Sequence, residues 1–197
     1  MHAPDQPGLF ADDTPPADAL PAGFKYRADV IMPADERQLL RQVETLPFEE
    51  FQFHGFTGKR RVVSFGWRYD FDERELKRAN DIPPFLDPLR RAAAAFAGLP
   101  AGAFQHVLVT EYRPGAAIGW HRDKAVFAEV VGVSLLATCR FRFRREVAGK
   151  WQRAARDLAP RSIYLLSGPS RTEWEHSIPA VEALRYSITF RNFREAK

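Results

Sequence analysis

Two histidines and one aspartate carry the first chemical suggestion in this chain. His121 and Asp123 stand two apart in GWHRD, and His176 follows about fifty residues later in WEHSI. Residues two apart on a β-strand share a face and lie about 7 Å apart. One ion can then sit between an imidazole nitrogen and a carboxylate oxygen at ligand distances of about 2.1 Å. A second imidazole from a neighbouring strand, with His176 the obvious candidate, completes one triangular face and leaves three octahedral positions open. That is the donor set of non-haem ferrous oxygenases. The bland alternative is that His-x-Asp is a surface dipeptide, which it most often is.

A second pair bears on the choice. Arg185 and Arg191 stand six apart in RYSITFRNF, so on a strand both face one side. Inward arginines are costly unless an anion meets them, and a dicarboxylate would take a bidentate guanidinium contact at each end. The competing reading turns both toward water beside Arg194.

The elements that must position these residues read clearly. PADERQLLRQVETL sets Leu39, Leu40, Val43 and Leu46 at helical spacing, with Pro33 ahead and Asp35 and Glu36 in the first turn. PFLDPLRRAAAAFAGL reads as a second helix, stopped by Gly98 and Pro100. Between them Phe65, Trp67, Tyr69 and Phe71 alternate with smaller or polar residues, a strand pattern. From Phe104 onward short strands are predicted at FQHVLVTEY, AIGWHRD, VGVSLLAT, RFRFRRE, WQRAARDL, SIYLLSG, TEWEHSI and RYSITFRNF. Such spacing predicts a mainly β (α+β) fold, a closed or two-sheet jelly roll with helices packed outside.

Composition narrows the class. The single cysteine, Cys139, excludes an internal disulfide and fits a reducing, cytoplasmic setting. No apolar run approaches the roughly 18 residues of a membrane span. Residues 1–22 hold four aspartates and no Lys or Arg, and read as a disordered acidic, Pro-rich tail ahead of one domain, 23–197. The chain's net +4 therefore puts +8 on that domain, mild support for a polyanionic partner.

Four separated blocks, VLVTEYRPGAAIGWHRD, GVSLLATCRFRFR, WEHSI and RYSITFR, resemble the AlkB family of Fe(II)- and 2-oxoglutarate-dependent dioxygenases. The resemblance covers roughly residues 104–193, with a weaker echo in KRRVVSFGWRYDF. It implies a double-stranded β-helix core over about 104–193, two or more flanking helices, and a substrate lid over about 51–72. It further implies that His121, Asp123 and His176 bind Fe(2+). Arg185 and Tyr112 would take the distal carboxylate of 2-oxoglutarate, and Arg191 the carboxylate nearer the metal. Thr110 and Ser187 stand where the family typically has Asn, and each keeps a hydroxyl for the cosubstrate. Dioxygen would complete the set, and no protein nucleophile is required.

The implied activity is oxidative removal of N-alkyl groups from nucleobases in DNA or RNA; the sequence does not give the oligomeric state, and a monomer is assumed. In the lid, Lys59, Arg60 and Arg61 would meet phosphates, and Tyr69 or Phe71 would stack on a base. One departure bears on the substrate. Repair enzymes of the family carry an acid two residues past the ligand Asp, whereas HRDKA places Ala125 there. The same chemistry on a protein or small molecule is the alternative, and a catalytically silent nucleic-acid-binding module is a third. Trp120 and Trp174 read as packing residues, His54 and His106 as structural or surface ones, and Arg140, Arg142 and Arg144 as a solvated strand face.

Overall fold

The computed structural model describes residues 19–53, 56–70 and 75–194. Phe71, His54 and residues 1–18 lie outside that description, as does the side chain of Tyr69. Strand β1 is Phe24–Arg27 and helix α1 Pro33–Val43. Strands β2 to β5 follow at Glu49–Phe53, Phe56–Phe65, Trp67–Asp70 and Glu75–Arg78, then helix α2 at Asp87–Ala97. The C-terminal half runs through β6 His106–Tyr112, β7 Ile118–His121, β8 Phe127–Leu135, β9 Cys139–Val147, β10 Lys150–Leu158 and β11 Ser162–Leu166. A short α3, Pro169–Thr172, precedes β12 Glu175–Ile178 and β13 Arg185–Phe193.

These strands form a seven-stranded antiparallel sheet, ordered β1-β11-β8-β13-β6-β3-β2, and a four-stranded one, β10-β9-β12-β7. This is the two-sheet jelly-roll arrangement expected from the strand spacing, and β4 pairs with β5 in a separate hairpin.

Period-2 alternation assigns each face of the large sheet a task. Val107 and Val109 of β6, Val131, Val133 and Leu135 of β8, and Tyr186, Ile188 and Phe190 of β13 form one apolar layer. Leu40 and Val43 of α1, and Ala93 and Ala94 of α2, close over it. Helix α2 ends at Gly98, whose φ of 74° is a left-handed cap that a side chain would strain. Helix α1 is tied down through buried Glu36, which accepts from the Leu136 amide at 3.0 Å. The opposite face of the sheet meets the small sheet through Phe141, Phe143, Tyr164, Leu166 and Trp174.

Two expectations need correction. The Phe65–Phe71 alternation is not one strand, because Gly66 adopts a φ of 73° and breaks it into β3 and β4. A Cβ at Gly66 would fall 2.1 Å from the Gln105 carbonyl oxygen, so the chain bends there against β6's approach and only glycine fits. Phe65 therefore joins the apolar layer, while Trp67 packs edge-on against Phe193 at 5.7 Å. TEWEHSI is not all strand either: Thr172 closes α3, and pairing begins only at Glu175. Among the described residues no helix is long and apolar enough to cross a membrane.

Candidate active site between the sheets

Strands β7 and β12 are neighbours in the small sheet, and their register sets His176 directly opposite His121. The two rings lie 4.3 Å apart, centroid to centroid. His121 Nδ1 sits 2.8 Å from the Gly119 carbonyl oxygen, which fixes Nδ1 as the protonated nitrogen and leaves Nε2 with its lone pair. Asp123 lies just past the end of β7. Its Oδ2 is 3.6 Å from His176 Nε2, and its Oδ1 accepts from Arg191 Nε at 2.9 Å and Nη2 at 2.7 Å. The sequence-predicted trio is thus brought together. Among the described residues, however, no three His, Cys, Asp or Glu side chains already close around one point.

The electrostatics of the trio follow from burial and neighbours. Burial raises the Asp123 carboxyl, but Arg191, His176 and His121 outweigh it and hold the group below the usual carboxylate range. His176 is pushed down to about 3, first by burial and then by His121. Both imidazoles are consequently neutral at pH 7, the state in which a ring nitrogen can ligate.

The large sheet supplies the facing wall. Arg185 is fully buried at the start of β13, opposite Tyr112 on β6, with its guanidinium carbon 5.0 Å from that ring. Its Nε donates to Ser134 Oγ at 3.0 Å, and both Nη atoms are buried without a partner. A buried cation with two orphaned donor groups is expensive unless an anion completes it. Thr110, Ser187 and Ser134 form a row of buried hydroxyls across β6, β13 and β8, each in register with the next. A buried carboxylate-bearing ligand fits this wall: Arg185 offers two free donor edges, and the hydroxyls lie alongside.

Other assignments shift. Arg191 is not a free guanidinium. It is committed to Asp123, and its Nη1 lies 3.4 Å from His106 Nδ1. His106 is accordingly buried, packed on Phe127 at 4.9 Å, and its pKa lies well below the usual value because of burial and then Arg191. Arg61 is not a phosphate ligand in waiting: Nε and Nη2 each donate to the Glu111 carboxylate at 2.8 Å. Arg60 takes the other face of β3 and lines the cavity with His121, Asp123 and Tyr112, while Lys59 is exposed. Trp174 is buried as expected. Trp120 is flanked by Arg142 and Arg144 at 5.0 and 4.6 Å, and Arg140 and Arg144 pair with Asp157 and Glu175.

Sequence reasoning missed three residues of this site. Ser134 anchors Arg185, and a lone Ser inside the apolar run VGVSLLA was the available signal. Tyr164 lines the cavity and lies so close to Gly132 that a Cβ there would come within 2.2 Å of its ring. Arg171 reaches from α3 to the carbonyls of Lys124 and Phe127, bracing the loop that carries Asp123. Nothing in the sequence marks that contact. The cavity itself is narrow, about 60 Å³, and a roomier hollow of about 370 Å³ beside Thr138 and Val181 lacks the paired imidazoles.

Against known proteins, the description "2OG-Fe(II) oxygenase superfamily" matches residues 27–191. The chain belongs to that superfamily. It is 27% identical to an Arabidopsis thaliana "Alkylated DNA repair protein ALKBH8 homolog" over 80% of its own length and 51% of the relative's. It is 31% identical to the mouse "DNA oxidative demethylase ALKBH2", over 58% of this chain and 54% of that one. The chain thus spans about half the length of these two relatives. An uncharacterized mimivirus protein is 26% identical and matches over 89% and 87% of the two lengths. The solved structure of OsALKBH1 superimposes with a TM-score of 0.71 at 17% identity, covering 88% of this chain and 98% of that one, which establishes the shared fold. The curated relatives just named are AlkB homologues by their descriptions, and superfamily membership implies oxidoreductase chemistry that draws on Fe(2+), 2-oxoglutarate and O2.

Proposed function

We propose that this oxygenase removes N-alkyl groups from nucleobases in DNA or RNA. His121, Asp123 and His176 would hold the iron, and Arg185 with Tyr112, Thr110 and Ser187 would hold 2-oxoglutarate. The observation that carries the cosubstrate assignment is the fully buried Arg185 with two unpartnered Nη groups. The nucleobase assignment draws on the relatives, whose names record alkylated-DNA repair and DNA oxidative demethylation.

When bound, iron and 2-oxoglutarate supply the oxidising power: the keto acid becomes succinate and carbon dioxide, and an oxygen atom enters a C–H bond of the substrate. Hydroxylation of an N-methyl carbon gives a hemiaminal that releases formaldehyde and leaves the bare nitrogen. The chain's own residues do the rest. Arg185 orients the diacid through its far carboxylate, in a site too dry for water to compete. Arg191, seated against His106, keeps Asp123 ionised and aimed. Phe141 and Tyr164 exclude solvent from the ligand side of the cavity.

Incubation with Fe(II), 2-oxoglutarate and methylated single- and double-stranded oligonucleotides tests the reading. Equimolar succinate and formaldehyde are expected, with both lost in His121→Ala. Succinate driven only by a protein or small-molecule fraction, with every oligonucleotide unchanged, would overturn the nucleobase assignment and leave the oxygenase chemistry standing.

A further inference from the structure

The pleat of β3 separates two adjacent arginines that the sequence presents as one basic run. Arg61 points to the helix side and is neutralised by a bidentate pair with Glu111. Arg60 points the other way, into the space between the sheets, where it lines the cavity with Phe51, Tyr112, His121 and Asp123. Its guanidinium carbon stacks 3.8 Å from the centre of the Phe51 ring, a contact that uses the face of the ion. The in-plane N–H edges remain available for acceptors.

No carboxylate among the described residues answers this cation. Among the described residues Arg60 has no ion pair, and Asp123, the one acid lining the cavity, has its Oδ1 committed to Arg191. The residues after Asp123 do not supply an acid, since Lys124 and the exposed Ala125 follow it. Burial pulls Arg60 below the ordinary arginine value, with Tyr112 opposing, and it stays charged throughout the neutral range. The approach to the paired imidazoles is therefore positive where an acid-lined pocket would be negative.

Resting on the nucleobase reading above, we infer that Arg60 sets the charge class of the substrate: a neutral N-methylated base that presents a carbonyl oxygen to the guanidinium. Methylation at N3 of thymine or uracil leaves a neutral ring with a carbonyl on each side of the methylated nitrogen. Methylation at N1 of adenine or N3 of cytosine leaves a cation at neutral pH. The first kind offers Arg60 the acceptor it lacks. The second adds a like charge in a space of low dielectric, where repulsion is strong, and specificity of this kind rests on both the attraction and the repulsion.

The test measures kcat/KM on matched single-stranded oligonucleotides bearing one N3-methylthymine, N3-methyluracil, N1-methyladenine or N3-methylcytosine. Wild type, Arg60→Gln and Arg60→Glu are compared, with thermal melts to confirm folding and KM for 2-oxoglutarate measured in parallel. The wild type is expected to favour the neutral bases at least tenfold. Arg60→Gln should level that ratio and Arg60→Glu should invert it, with KM for 2-oxoglutarate unmoved. A wild type that prefers the cationic bases, or a ratio unmoved in both folded variants, overturns the inference while the nucleobase reading survives. A variant effect confined to KM for 2-oxoglutarate overturns it too, reassigning Arg60 to the cosubstrate. If the wild type turns over no oligonucleotide, the nucleobase reading fails, and this inference falls with it.

Discussion

Strand β13 presents two faces built to different rules. Tyr186, Ile188 and Phe190 pack into the layer beneath α1 and α2, while Arg185, Ser187, Thr189 and Arg191 turn toward the other sheet. All seven side chains are buried. The first three gain stability from being out of water, at about 25 cal/mol per Å² of apolar surface removed. The other four must each be answered by a polar partner, and Arg185 is answered only in part. One face holds the sheet together, and the other carries polar groups whose burial costs stability wherever no partner answers them.

Substitutions on the two faces should separate these roles. The largest effect is expected at Arg185→Met. Loss of one partner of a buried ionic contact costs about 3 kcal/mol or more, so kcat/KM for 2-oxoglutarate should fall on the order of a hundredfold. The ligand-free protein should melt no earlier than wild type, because an uncompensated cation has been removed. A lower melting temperature with cosubstrate affinity intact would contradict the assignment. Ile188→Ala, one residue face away, should do the reverse: roughly 2–5 kcal/mol lost in urea unfolding, with 2-oxoglutarate affinity retained in the folded fraction.

Acid should also discriminate. Burial and then His121 hold the folded pKa of His176 at about 3, against 6.5 when unfolded. In metal-free protein its contribution is whole above about pH 6.5 and declines as the pH falls toward 3, because the unfolded chain binds the proton first. The decline is up to roughly 1.4 kcal/mol per pH unit for this group. Urea midpoints at pH 7.5, 6 and 4.5 measure it, and a flat profile would show that His176 is not neutral by burial. Gly132→Ala should cost about 1–3 kcal/mol by overpacking Tyr164, seen as a lower melting temperature. The smallest effect is expected at Arg140→Ala, which removes a solvent-exposed pair with Asp157 worth less than about 1 kcal/mol. A larger shift there would mean that the outer face of the small sheet is more than solvated surface.

What the sequence disclosed follows the same division. Helices α1 and α2 and the strands from β6 onward were legible because apolar periodicity records the face that packs, and β13 was read to its ends. The pairing of His121 with His176 was legible because both belong to strands, where register is the natural way to bring distant residues together. The bend at Gly66 was not legible, since it answers to the Gln105 carbonyl, a partner nearly forty residues away. Arg60 and Arg61 looked alike for a related reason. A basic run does not announce which member the pleat turns inward, and Glu111 identifies itself as a partner only once β3 lies beside β6. Arg171 and Ser134 act through contacts that have no local pattern at all.

The place of β13 in its sheet has a consequence for assembly. It follows every other described strand along the chain, yet it lies between β8 and β6 and joins the group β1-β11-β8 to the group β6-β3-β2. Without its pairings the sheet would divide into two groups with unpaired edges, the kind of edge that recruits other strands. Those pairings span long stretches of sequence, the kind of contact that slows folding, and the same keystone delivers the two arginines.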